Sequence, residues 1–166
     1  MKNTMLLILV AALITACGSQ KNKVQASNSP AMEVKTNPSN DTGGRQPQIL
    51  INSYAFLVDA VSTDSTYGYS PENAIKVGGS SEGEGPLNER RFLNALAGPN
   101  GEEIDYQRYG SCCPQPSKNS AFGSAVLDRY AVYYKGAQDT VMLYINMYDS
   151  EKLLAPVGFS LREFPN

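Results

Sequence analysis

The chain contains no histidine and no tryptophan. Without histidine it lacks the usual general base, the usual proton shuttle and the commonest metal ligand. Ser-His and Cys-His nucleophile pairs cannot be assembled within it, and histidine-containing zinc sites are excluded. Cysteine is scarce as well, with three residues at positions 17, 112 and 113. Two thiolates without histidine leave a zinc shell unfilled, and the acidic residues nowhere follow the Asp-x-Asp-x-Asp-Gly spacing of a calcium loop. No metal and no cofactor is expected, and no residue is assigned a catalytic role.

Positive charge is also thin. Fourteen Lys and Arg stand against sixteen Asp and Glu, a formal charge of −2, with no basic tract. Nucleic acid is not expected as a partner, because that binding rests on clustered Lys and Arg.

The amino terminus carries an address. Met1-Lys2 gives a short positive start, an uncharged apolar run follows from Met5, and Ile14-Thr15-Ala16-Cys17 closes it. Basic, then apolar, then small residues at the cut is the layout of a secretory signal. The run is shorter than the roughly 20 apolar residues that span a bilayer. The closing four residues resemble the lipobox of bacterial lipoproteins. That resemblance implies removal of residues 1–16, lipid on the Cys17 sulfur and acylation of the new amine. Several acyl chains, each gaining about 0.8 kcal/mol per buried methylene, hold such a protein stably. The expected location is the cell envelope, anchored by lipid to the outer membrane with the domain outside the cytoplasm.

Residues 17–47 read as a disordered tether. They are rich in Ser, Asn, Lys, Gln, Gly and Pro and contain no aromatic residue, too little apolar surface to offset ordering entropy. The ten tyrosines and five phenylalanines all lie between Tyr54 and Phe164, which places one globular domain at 48–166.

Within that domain, 49–51 suggests a strand, with a helix over 54–61 capped by Ser53 as the alternative. Ile75-Lys76-Val77 is a short strand candidate. Residues 78–86 form a Gly-rich loop that lacks the Gly-Lys-Ser/Thr ending of a phosphate loop. Segments 90–96 and 103–109 flank Gly98-Pro99-Asn100-Gly101, which favours a hairpin; the alternative is a helix over 88–97. Residues 127–135 and 140–148 alternate as strands joined at 136–139, with Val141, Leu143 and Ile145 opposite Met142, Tyr144, Asn146 and Tyr148. Ser150 suggests a cap for a helical turn over 151–154, and 157–162 a last edge strand. The expected fold is α+β or mostly β, an antiparallel sheet of about four to six strands with little helix.

Three groups of side chains stand out. Cys112-Cys113 have no other intramolecular partner once Cys17 is lipidated. A vicinal ring, two free thiols or bridges to other molecules remain open, and a structural role is preferred because no histidine is present to activate a thiol. Arg91 and Arg108, with Arg90, fall on the proposed hairpin as a clamp for an anion, or as a solvated face. Tyr144, Asn146 and Tyr148, beside Tyr133, form either a stacking surface for sugar or peptide or a second packed layer.

Tyr67-Gly-Tyr-Ser-Pro-Glu-Asn-Ala-Ile-Lys-Val-Gly-Gly79, Asn88-Glu-Arg-Arg-Phe-Leu-Asn-Ala-Leu-Ala-Gly-Pro-Asn-Gly101, Gly110-Ser-Cys-Cys113, Leu127-Asp-Arg-Tyr130 and Leu143-Tyr-Ile-Asn-Met-Tyr-Asp149 together resemble small secreted proteins and lipoproteins of Bacteroidetes, especially flavobacteria. The resemblance implies no activity and no catalytic residues. Some members carry the label 2-dehydro-3-deoxyphosphooctonate aldolase. Such aldolases use a (β/α)₈ barrel of about 250 residues with alternating strands and helices, a pattern this chain does not show. The expected role is a non-catalytic binding or structural module of the envelope, attached to the membrane by its lipid and meeting an envelope protein or glycan. The competing readings are an extracytoplasmic enzyme and a redox-responsive module built on the cysteine pair.

Overall fold

A computed structural model of the chain describes residues 45–165. The signal, Cys17 and nearly all of the tether lie outside the described residues. The elements run β1 (Leu50–Asn52), β2 (Ala55–Phe56), a 3-10 turn (Pro71–Asn73), β3 (Ile75–Lys76), α1 (Gly85–Leu93), β4 (Leu96–Ala97), β5 (Ile104–Pro116), β6 (Ser124–Tyr134), β7 (Val141–Asn146) and β8 (Ser160–Leu161). The domain is β-rich with one α-helix.

Its frame is a four-stranded sheet in the order β3-β7-β6-β5. β5, β6 and β7 are antiparallel neighbours, while β3 lies parallel to β7, so the sheet is mixed rather than wholly antiparallel. The parallel pairing follows from the long path through α1, β5 and β6 that separates β3 from β7; a two-residue turn joins only antiparallel strands. Two small ribbons, β1–β2 and β4–β8, complete the set.

Alternation assigns the sheet's faces. Tyr130 and Val132 of β6, Leu143 and Ile145 of β7, and Ile104 of β5 are buried on one side. They form one cluster with Phe92 and Leu93 of α1, Leu96 of β4, Phe56 of β2, and Val77, Leu153, Ala155 and Phe159 from the connecting segments. The helix covers this inner face.

α1 replaces the hairpin that the Pro-Asn-Gly turn favoured. Pro86 sits in its first turn, and its buried residues are Gly85, Asn88, Glu89, Phe92 and Leu93. They recur at helical spacing, but two of them are polar, so the period is invisible to an apolar pattern. Arg90 and Arg91 therefore stand on a helix and Arg108 on β5, not together on one ribbon. β4 pairs with β8 instead of β5, through Leu96↔Leu161 and Ala97↔Ser160.

The suggested helical turn at 151–154 is likewise absent. Ser150 bridges Val77. Beyond it the chain is extended, with Glu151 N–H donating to Lys76 O, Ala155 N–H to Ala60 O, and Ser62 N–H to Ala155 O. Backbone groups already bonded across the fold cannot also close a helical turn. Residues 49–56 resolve as a hairpin, not a helix.

Phe92 is fully buried in the cluster, so Phe92→Ala should cost about 3–5 kcal/mol. Met142→Ala, on the opposite and partly open face, should cost under ~1 kcal/mol. Urea unfolding followed by circular dichroism checks the ordering; equal costs would contradict the one-sided core.

Candidate functional site

The outer face of the sheet is built by the same alternation. Register places Asp105 opposite Tyr133, Gln107 opposite Ala131, Ala131 opposite Met142 and Arg129 opposite Tyr144. None of these eight positions, counting Tyr109 with them, is buried. Tyr133 is 45% exposed and Tyr109 67%. Tyr109 continues the alternation of Asp105 and Gln107 and is followed by a bulge between Arg108 and Gly110. The bulge inserts one residue into β5 and shifts its side-chain phase, and Gly110, at φ +124°, takes a conformation that side chains rarely adopt. The Arg129 guanidinium lies over the Tyr109 ring, 5.4 Å from its centre. Small Ala131 leaves a shallow floor between the Tyr133 end and the Arg129 end, about 13 Å apart at the strand rise.

The lower end of this face is closed by a polar knot. Asp149 accepts from Ser117 Oγ at 2.7 Å, Asn119 Nδ2 at 2.7 Å and Asn146 Nδ2 at 2.8 Å. Asn146 also accepts from the backbone of Tyr148 and Asp149. Asn146 is thus a turn-forming residue, buried and committed, and does not stand beside Tyr144 as a ligand contact.

Beneath the inner face lies an acidic cluster. Glu89 of α1 and Asp128 of β6 are both buried. Tyr130 donates to Glu89 Oε2 at 2.8 Å. Arg108 grips Asp128 in a fork, Nε to Oδ2 at 2.5 Å and Nη2 to Oδ1 at 2.7 Å, and Ser111 adds a third bond. Burial works to raise Asp128, yet the bonds from Arg108 and Ser111 and the Arg108 charge outweigh it, and its carboxyl sits below the usual range. Burial, then the charge of Asp128, pushes Glu89 up to about 8 against the Tyr130 bond. Glu89 Oε1 has no hydrogen-bond partner as a plain carboxylate. A retained proton fits this orphaned oxygen, because the neighbouring Asp128 carboxylate helps to raise Glu89 while Glu89 helps to lower Asp128. Arg108 is therefore an ion-pair partner and not a free clamp.

Arg91 lines a cleft of about 350 Å³ with Asn88, Glu84, Phe56, Val77 and Tyr148. Its charge is occupied: Nη1 donates to Glu84 Oε2 and Asn88 Oδ1, both at 2.8 Å, and Nε to Ser53 O at 3.3 Å. Asn88 in turn donates to Gly78 O at 3.1 Å, and Gly79 admits this side chain because a Cβ there would collide with it. The Gly-rich loop is consequently packed against α1. A wider hollow of about 630 Å³ lies beside the Pro99–Gly101 turn. Neither hollow is lined by Glu89 or Asp128.

Cys112 and Cys113 form a vicinal disulfide. It occupies the irregularity between Cys112 and Gln115 in β5, with Cys113 in the left-handed region at φ +53°. Pro114 and Pro116 follow. β5 is an edge strand, and proline and bulges blunt the pairing capacity of such an edge. Among the described residues no cluster of acidic residues and cysteines is placed to hold a metal ion.

Of the residues singled out in the sequence, Tyr144 is on the open face, Tyr148 and Arg91 line the cleft, Arg108 is in the acidic cluster, and Cys112 and Cys113 are joined in the edge strand. They do not converge. Cys17 lies outside the described residues. Tyr109 and Arg129 were missed, although Tyr109 shares the parity of Asp105 and Gln107, and Arg129 that of Ala131 and Tyr133. The chain matches no known protein family, no curated protein and no solved structure.

Glu89 gives a pH signature. An ordinary glutamate titrates near 4.5, so between that value and about 8 the folded state holds the extra proton. Stability from this group is complete below 4.5, falls as pH rises through the window, by up to about 1.4 kcal/mol per unit, and levels off above it. Urea midpoints measured from pH 5 to 9 should show this decline, and Glu89→Gln should flatten it. A wild-type profile already flat across the window would rule out the retained proton.

Proposed function

We propose that the chain is a lipid-anchored, non-catalytic binding module of the cell envelope, tethered to the outer membrane through Cys17, which docks a saccharide on the outer face of its sheet. The observation that carries this reading is the uncovered face bearing Tyr109, Tyr133 and Tyr144. Tyrosine combines an apolar ring with a polar tip, which suits the apolar faces and hydroxyl edges of sugar rings. The surface is preorganised on paired strands, so binding costs little ordering.

Binding without turnover is supported by the placement of Glu89. It is a carboxyl with a proton available near neutral pH, and a general acid must reach the proton it transfers. Glu89 is fully buried and faces neither hollow. Its role in this reading is to fasten α1, and that of the disulfide is to shape the edge of β5. The lipobox at Ile14-Thr15-Ala16-Cys17 supports the anchor, and the acyl chains supply the membrane contact.

Two measurements test the reading. Cys17→Ala should abolish palmitate labelling in cells and release the protein from the membrane fraction; a mutant still labelled would refute the anchor. In a binding survey of immobilised oligosaccharides with the full chain, Tyr133→Ala should weaken the bound class by about tenfold, roughly 1.4 kcal/mol, without altering the melting temperature. Undiminished binding, cleavage of the sugar, or binding confined to a protein partner would overturn it.

A further inference from the structure

Arg129 differs from the other arginines of the described fold that lie near acids. Arg91 is paired with Glu84, Arg108 with Asp128 and Arg162 with Glu103. Among the described residues Arg129 has no ion-pair partner, and its buried Nε has no hydrogen-bond partner. Its guanidinium rests on Tyr109 and its cross-strand neighbour is Tyr144. A guanidinium laid on an aromatic ring is held in place by the ring's negative face, with its remaining N–H groups free to meet a planar anion in a fork. An unpaired cation in an aromatic setting, on the face already assigned to ligand, implies a ligand that brings the negative charge.

From this we infer that the outer face takes an acidic saccharide, with one carboxylate-bearing sugar seated on Arg129 and uncharged sugar extending toward Tyr133. The inference rests on the saccharide reading and narrows it. The polarity comes from Asp105, which lies opposite Tyr133 at the far end and repels a second negative group there. Charge complementarity also disfavours an anionic membrane as the occupant. Such surfaces are held by several basic residues together, and here one arginine stands on the outer face of the sheet, in a chain of formal charge −2. An acidic peptide added as a strand would need a regular edge, and the free edge of β5 is interrupted by two irregularities and two prolines.

The test uses the full chain, with tyrosine fluorescence as the readout, since no tryptophan masks it. The probes are a galacturonate hexamer, a neutral glucose hexamer, inorganic phosphate, and vesicles of phosphatidylglycerol. The galacturonate hexamer should bind at least tenfold more tightly than the glucose hexamer. Arg129→Gln should erase that preference, Arg129→Lys should restore part of it, and Arg90→Gln on the exposed side of α1 should leave it intact. Asp105→Asn should tighten the galacturonate hexamer a further two- to fivefold. Circular dichroism of each variant separates lost binding from lost fold, and the conservative lysine variant keeps the test sharp if the glutamine variant unfolds.

Equal binding of both hexamers, with Tyr133→Ala weakening both, would overturn the acidic preference while the saccharide reading stands. No binding of either hexamer would sink both. Binding of phosphatidylglycerol vesicles or free phosphate that matches the hexamer, or a preference abolished by Arg91→Gln instead of Arg129→Gln, would also refute the inference.

Discussion

The hydrogen bond from Tyr130 to a protonated Glu89 sets the arrangement of the whole domain. It fastens α1 to the central strand β6 at a buried point. A buried carboxylate without a partner would be expensive, and keeping the proton removes that cost. With Glu89 neutral, Asp128 can remain charged beside it and hold Arg108 and Ser111 of β5. One buried proton thus links the helix, the middle strand and the edge strand. The apolar cluster around Phe92, Leu143 and Ile145 supplies most of the burial energy at about 25 cal/mol per Å², but it has no direction of its own. The acidic cluster supplies the direction.

A helix on one side leaves the other side of the sheet to be accounted for. The lower end is sealed by Asp149 and its three donors, which draw residues 117–119 across the strands. Among the described residues the upper end has no such cover, and beside Asp105, Gln107 and Arg129 it carries three tyrosines, a methionine and an alanine, more aromatic than the polar face usual on an open sheet. Tyr109, next in the alternation after Asp105 and Gln107, adds one more ring to this surface and gives Arg129 a seat.

Much of this was legible in the sequence where strands are long and alternate. β6 and β7 follow the pattern Tyr130, Val132, Tyr134 and Val141, Leu143, Ile145 with period two, and the turn between them is short. α1 was obscured because its buried face includes Asn88 and Glu89, which an apolar period cannot count. The hairpin signal at Pro99-Asn100 marks a true turn, but the strand on its amino-terminal side, Leu96–Ala97, is claimed by β8 from the far end of the chain. Pairing partners that distant leave no local trace. The outer face was half visible: Tyr144 and Tyr133 were placed correctly by alternation. Asn146 followed the same parity, yet Asp149, three residues on, converts it into a turn. The contrast between paired Arg91 and Arg108 and unpaired Arg129 depends on tertiary neighbours and could not be read from spacing.

One face of the sheet is sealed by α1, and the other, uncovered among the described residues, is the proposed seat of the ligand. Tyrosine nitration of the full chain, mapped by peptide mass spectrometry with and without saturating galacturonate hexamer, tests it most directly. Tyr109 and Tyr133 are expected to react and to be protected by the hexamer, while Tyr130 and Tyr67 stay unmodified in both conditions. Rapid nitration of Tyr130, or protection that falls on Tyr148 in the cleft while Tyr109 and Tyr133 remain reactive, would contradict it.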